Sequence, residues 1–123
     1  MNNNINFNKK IFSADALALQ VRKWREQNEK IIFTNGCFDI LHNGHLEVLF
    51  SAANLGGKLI VALNSDSSIK KLKGKSRPIN NESDRKKFLS YFNFIDSITS
   101  FNEETPYNLI KKLKPDFIVK GGD

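Results

Sequence analysis

His42 and His45 stand three residues apart, separated by Asn43 and Gly44, inside the stretch TNGCFDILHNGH at positions 34–45. On a helical turn a spacing of three brings two side chains to one side, so the pair predicts two imidazoles directed at one object. Imidazole binds metals, moves protons and donates hydrogen bonds to developing negative charge. An isolated pair of this kind also serves structural or metal-binding roles. Zinc needs further ligands, however, and the chain has no third histidine and no cysteine besides Cys37. Cys37 beside a strand reads as a small buried apolar residue. Asp39 reads as a carboxylate that fixes the loop through backbone N–H groups rather than as a base. What is left is a donor-rich cradle without a strong nucleophile. That suits in-line displacement at a phosphoryl group, with the attacking oxygen brought by a second substrate. Gly44 is expected to leave room between the rings for a bulky anion, and Gly36 to let the backbone approach it closely.

The flanking residues must form elements that hold this cradle. Residues 30–33 (KIIF) and 59–63 (LIVAL) read as buried strands, residues 97–101 as a weaker one, and residues 117–120 (FIVK) as the last. Ser13 is a credible N-cap for a helix carrying Leu17, Val21 and Trp24 on one side. Further helices are predicted over residues 45–54, ended by Gly56 and Gly57, over 83–92, and from Thr105-Pro106 to position 114 with proline in the first turn. Between them, residues 64–80 predict a short helical turn and then a basic loop broken by Gly74 and Pro78. Strands alternating with helices imply right-handed crossovers and a parallel sheet. The expected fold is therefore α/β, a Rossmann-like parallel sheet with flanking helices, with residues 1–10 a flexible lead-in and 11–123 a single domain. Ligands of such sheets bind at the carboxyl ends of the strands. The helix that follows offers its N-terminal amides to a phosphate there.

The bulk composition agrees with a small-molecule site. The chain has 123 residues, 40% hydrophobic and 26% charged, with a net charge of +6 and a pI near 9.5. Those proportions are ordinary for one globular domain. The excess charge collects in KKLKGKSR (positions 70–77) and at Lys111, Lys112 and Lys114. Clusters beside glycine and proline suit phosphate capture, and no nucleic-acid reading helix is recognisable, so no nucleic-acid partner is expected. Nor is a membrane partner expected, because no apolar run approaches the roughly 20 residues of a spanning helix. The start, MNNNINFNKK, lacks a signal peptide's apolar stretch, and one cysteine makes no intramolecular disulfide. A cytoplasmic protein is expected.

The motif T-N-G-C-F-D-I-L-H-N-G-H resembles the H-x-G-H signature of the nucleotidyltransferase superfamily that includes the cytidylyltransferases. Four further stretches, VALNSDSSIKKLKGKSRPIN, ESDRKKFLSYFNFID, TPYNLIKKLKPD and FIVKGGD, are more closely similar to the heptose 1-phosphate adenylyltransferases. The resemblance runs from about Ile11 to Asp123. It implies transfer of AMP from ATP to D-glycero-β-D-manno-heptose 1-phosphate, giving ADP-heptose and pyrophosphate for the lipopolysaccharide core. Mg²⁺ would accompany the ATP, with no dedicated protein site, and a homodimer is implied. His42 and His45 match the signature histidines that hold the triphosphate and stabilise the transition state. Asn35, Gly36, Cys37 and Phe38 match the nucleotide-binding loop, and Asp123 an acidic position at the end of the fourth strand. Lys73, Arg77 and Arg85 match phosphate-contacting positions, although Arg85 also reads as a helix-surface partner of Glu82 or nearby acids. Members of the family continue past KGGD to a further strand and a Ser-Thr-Thr-type motif at a helix, which the 123 residues do not include. Two alternatives stand beside this expectation: a cytidylyltransferase acting on glycerol phosphate or a similar phosphorylated alcohol, and a non-catalytic nucleotide-binding module.

Overall fold

Each β-branched run in the sequence becomes a strand, and each run with helical spacing becomes a helix against it. The computed structural model describes residues 7–120; residues 1–6 and the expected site residue Asp123 lie outside them. After a single 3₁₀ turn at Phe7–Lys10 come α1 (Ala14–Glu26), β1 (Ile31–Gly36), α2 (Asn43–Ala53), β2 (Lys58–Asn64) and α3 (Asp66–Lys73). α4 (Glu82–Ser90), β3 (Ser97–Phe101), α5 (Tyr107–Leu113) and β4 (Phe117–Val119) complete the order. The strands pair in parallel in the order β3-β2-β1-β4, the Rossmann-like arrangement expected. Among the described residues no helix is long and apolar enough to cross a membrane.

The apolar runs of β1 and β2 are buried on both faces, which is why they are continuous instead of alternating, whereas the edge strand β4 leaves Phe117 and Ile118 exposed. Ile31, Phe33, Ile60 and Ala62 pack under α1 and α5 through Leu17, Val21, Trp24, Leu109 and Leu113. Ile32, Leu59, Val61 and Leu63 pack under α2 and α4 through Leu49, Ala52 and Leu89. Each of these fully buried large side chains contributes about 1.5 to 3 kcal/mol of transfer free energy. Together they give the sheet the rigidity that its carboxyl edge needs.

Several boundaries differ from the sequence reading for tertiary reasons. β1 continues three residues beyond its apolar run, because Thr34, Asn35 and Gly36 keep pairing with Val61, Ala62 and Leu63. Pairing with a neighbour outweighs the weak strand preference of Asn and Gly. The segment after β2 is a full helix, capped by Ser65 accepting from the Ser68 amide at 3.2 Å, rather than a short turn. Pro106 occupies the cap of α5, one place before the first turn. The Ser13 cap forms as expected, its Oγ accepting from the Ala16 amide at 3.2 Å.

The order of connections sets where a ligand can enter. From β1 to β2 to β3 the chain steps outward in one direction; it then returns past both to place β4 on the other side of β1. The direction reverses between β1 and β4, and a crevice opens at the carboxyl ends of strands where this happens.

Candidate active site

β1 delivers Thr34, Asn35 and Gly36 to the carboxyl edge, and residues 37–41 turn the chain into α2. Phe38 makes that turn with φ of 50°, a left-handed conformation that a bulky side chain adopts only under constraint. Its ring is buried against Gly36, where an added Cβ would stand 3.0 Å from the ring edge. The absent side chain at Gly36 therefore makes room for Phe38, rather than for a ligand alone.

Asp39 fastens this turn to the segment before α4. Its buried carboxylate accepts from the amides of Ile79 (2.9 Å) and Asn80 (2.8 Å) and from Arg77 Nε (2.9 Å). In return, Asn80 Nδ2 donates to the Asp39 carbonyl at 2.5 Å. Burial pushes the carboxyl up, but the Asn80 and Ile79 amides and the Arg77 guanidinium outweigh it and hold Asp39 below its ordinary value of 3.8. Asp39 is thus a loop anchor and an ionised one. A depressed carboxyl contributes stability above its unfolded value and loses it as the pH falls through the folded one. Asp39→Asn is expected to cost about 2 kcal/mol at neutral pH, in line with charge-assisted bonds. That gap should narrow between about pH 5 and about pH 3, as read by urea unfolding at each pH. A gap that stays constant over this range would refute the ionised anchor.

His42 is the N-cap of α2, and the two histidines cap the helix reciprocally. His42 Nδ1 accepts from the Gly44 amide at 3.1 Å, and the His42 amide donates to His45 Nδ1 at 3.3 Å. The rings stack with centroids 4.0 Å apart and planes 28° from parallel, and Phe38 lies 5.4 Å from His45. The imidazoles do face one side, as the spacing predicts. The rings touch, however, instead of leaving a gap for an anion between them, and the space over Gly44 belongs to the His42 ring, whose Cε1 is 2.9 Å from where a Cβ would be. Because each Nδ1 accepts a backbone N–H, each neutral ring carries its proton on Nε2. The cap thereby orients two donors in parallel at the head of a helix.

The remaining expected residues separate into two groups. Arg77 gives Nε to Asp39 and has no other side-chain partner among the described residues, so most of its fork is available to an anion. Lys73, at the end of α3, lines the same cavity. Arg85 is different. Its side chain is 1% exposed, and it donates to the carbonyls of Asn80 (2.9 Å), Cys37 (2.9 Å) and Asn64 (2.7 Å) and to Asp66 Oδ1 (2.6 Å). The surface pairing with Glu82 is not formed; Glu82 pairs with Lys86 at 2.8 Å instead. Arg85 ties the carboxyl ends of β1 and β2 to the start of α4, and four of its five donors are spent on protein.

These parts enclose an open cavity of about 860 Å³. Its wall includes Asn35, Gly36, Cys37, Phe38, His42, His45, Lys73 and Arg77, which brings eight of the expected residues together. Asn64, the last residue of β2, and Glu104 and Lys120, which come after β3 and β4, also line it. Motif matching missed them, although the rule that ligands sit at strand carboxyl ends would have found Asn64 and Lys120. Among the described residues no cluster of three His, Cys, Asp or Glu side chains is placed to hold a metal ion. A crevice with two aligned imidazole donors and cationic side chains is equipped to hold a polyphosphate and to take up charge on it.

Residues 33–123 match the cytidylyltransferase-like family. Two bifunctional proteins HldE, from Wolinella succinogenes and Campylobacter jejuni subsp. doylei, are each 50% identical to the chain over 93% and 98% of its length. The chain spans about a quarter of the length of these relatives, 24% and 26%. A crystal structure of the lipopolysaccharide core biosynthesis protein from Thermoplasma volcanium GSS1 superposes with a TM-score of 0.65 at 31% identity. That match covers 73% of this chain and 72% of the other.

Proposed function

The chain belongs to the cytidylyltransferase-like family and is a nucleotidyltransferase; from that premise we propose that it transfers AMP from ATP to D-glycero-β-D-manno-heptose 1-phosphate. The observation that carries the chemistry is the pair of Nδ1-capped imidazoles at the head of α2. Both rings meet the cavity that Lys73 and Arg77 also line. The choice of acceptor is supported by the half-identical relatives named HldE and by the structural neighbour named for lipopolysaccharide core biosynthesis.

In this reading an oxygen of the sugar phosphate attacks the α-phosphorus of ATP. A new P–O bond forms as the bond from the α-phosphorus to the bridging oxygen breaks, and pyrophosphate leaves. Negative charge spreads over the equatorial oxygens as this happens. The Nε2–H groups of His42 and His45 donate to that charge from positions the cap has already set, so little reorganisation is needed. Lys73 and Arg77 hold phosphate oxygens, with Asp39 orienting Arg77, while Asn35 to Phe38 lay backbone against the nucleotide. Arg85 acts through the loop and not on a phosphate. Mg²⁺ bound to the triphosphate would supply charge neutralisation on the pyrophosphate, and the described residues offer it no carboxylate cluster of their own. The homodimer and the cytoplasmic location belong to the same reading.

The family's own name motivates a second reading, CTP with glycerol phosphate or a similar phosphorylated alcohol. Pyrophosphate release, measured with each nucleoside triphosphate against each acceptor in the presence of Mg²⁺, separates the two. Turnover with ATP and heptose 1-phosphate is the expected result. Turnover with CTP alone would replace this reading with the second. ATP binding without turnover would leave a nucleotide-binding module.

A further inference from the structure

Lys120 is a cavity residue that neither the histidine motif nor the Asp39 anchor uses. It follows Val119, which pairs with Thr34, so it stands at the carboxyl end of β4 beside Asn35 and Gly36. It is exposed and lines the same cavity as His42, His45, Lys73 and Arg77. It forms no ion pair with any described residue. An exposed lysine ordinarily needs no explanation. This one occupies the β1–β4 junction, where the crossovers reverse and an open parallel sheet receives its ligand.

Its position also divides the cations of the site. Lys73 and Arg77 come from the end of α3 and the loop after it, on the β2 side of the histidines, whereas Lys120 approaches from across β1. Two polyanions must meet in this cavity if phosphoryl transfer occurs. A single cluster of positive charge would be neutralised by the first to bind and would leave the second repelled. Cations placed on opposite sides avoid this.

We infer that Lys120 is a nucleotide-binding residue whose ammonium grips the triphosphate from the β4 side, leaving Lys73 and Arg77 for the acceptor's phosphate monoester. The inference rests on the function proposed above. Lysine suits such a role as a flexible point charge with no fixed donor geometry.

The test compares the unaltered chain with Lys120→Met and Lys120→Arg. A nonhydrolysable ATP analogue is titrated by calorimetry without acceptor, and steady-state constants are then measured for both substrates. Lys120→Met is expected to weaken analogue binding about tenfold, the size of one charge-assisted contact. It should raise KM for ATP and leave KM for the acceptor phosphate unchanged. It should also make the affinity less dependent on salt, since one screened charge is gone. Lys120→Arg should retain most of the binding, and the urea midpoint of both variants should match the unaltered chain because the side chain is exposed. Undiminished analogue binding by Lys120→Met, or a rise confined to the acceptor's KM, overturns the assignment alone. An unaltered chain that binds no ATP analogue overturns the adenylyltransferase reading and this assignment with it.

Discussion

His45→Asn is expected to reduce turnover by about 10² to 10³ while changing folding stability by less than about 1 kcal/mol, and His42→Asn to behave alike. The reasoning is geometric. Asparagine's Oδ1 falls close to where imidazole Nδ1 sits and is a good helix-capping acceptor. The bonds now made by Nδ1 to the His42 and Gly44 amides are therefore retained. What asparagine lacks is the Nε2–H beyond them. A single preorganised donor to transition-state charge is worth about 2.7 to 4 kcal/mol of barrier, which corresponds to the expected rate loss. Alanine removes both functions and should cost about 1 kcal/mol of stability as well. Comparing the two substitutions separates the cap from the chemistry, with kcat from pyrophosphate release and stability from urea unfolding. An asparagine variant with undiminished kcat would reduce both histidines to helix caps.

The largest expected loss of stability belongs to Arg85→Met, about 3 to 5 kcal/mol. Three backbone carbonyls, those of Cys37, Asn64 and Asn80, each lose a donor inside the protein. Each orphaned acceptor costs about 1 to 3 kcal/mol where water cannot replace the partner. Asp66 is less affected, since its side chain is 40% exposed and can rehydrate. Arg85→Lys should rescue little, because one ammonium cannot span acceptors that the planar fork reaches from three nitrogens. Urea midpoints of the two variants check this. A methionine variant as stable as the parent would show that the bonds are made at no net gain over an apolar filler, as some buried ion pairs are.

Much of the architecture was legible in the chain. The runs KIIF and LIVAL read as buried strands and FIVK as the last strand, and their alternation with helical spacing dictated a parallel α/β sheet. The Ser13 cap, the bounds of β3 and the presence of a helix behind His42 also followed from local chemistry, which acts over a few residues. Asp39 was readable as an anchor for the same reason: a carboxylate in a glycine-bounded loop seeks N–H groups. Arg85 was not readable. Its pattern, SDRKK on a helix, is that of a solvated face, and only the meeting of two strand ends above that helix turns the side chain inward.

What the sequence determined alone was the set of elements and the loop where chemistry concentrates, because propensity, spacing and capping are local. Tertiary structure decided the rest. Pairing with β2 carried β1 on to Gly36, the meeting of two strand ends turned Arg85 inward, and the return of the chain to β4 brought Lys120 to the cavity. These outcomes depend on contacts between residues as far apart as Thr34 and Val119, and no local preference encodes such distances.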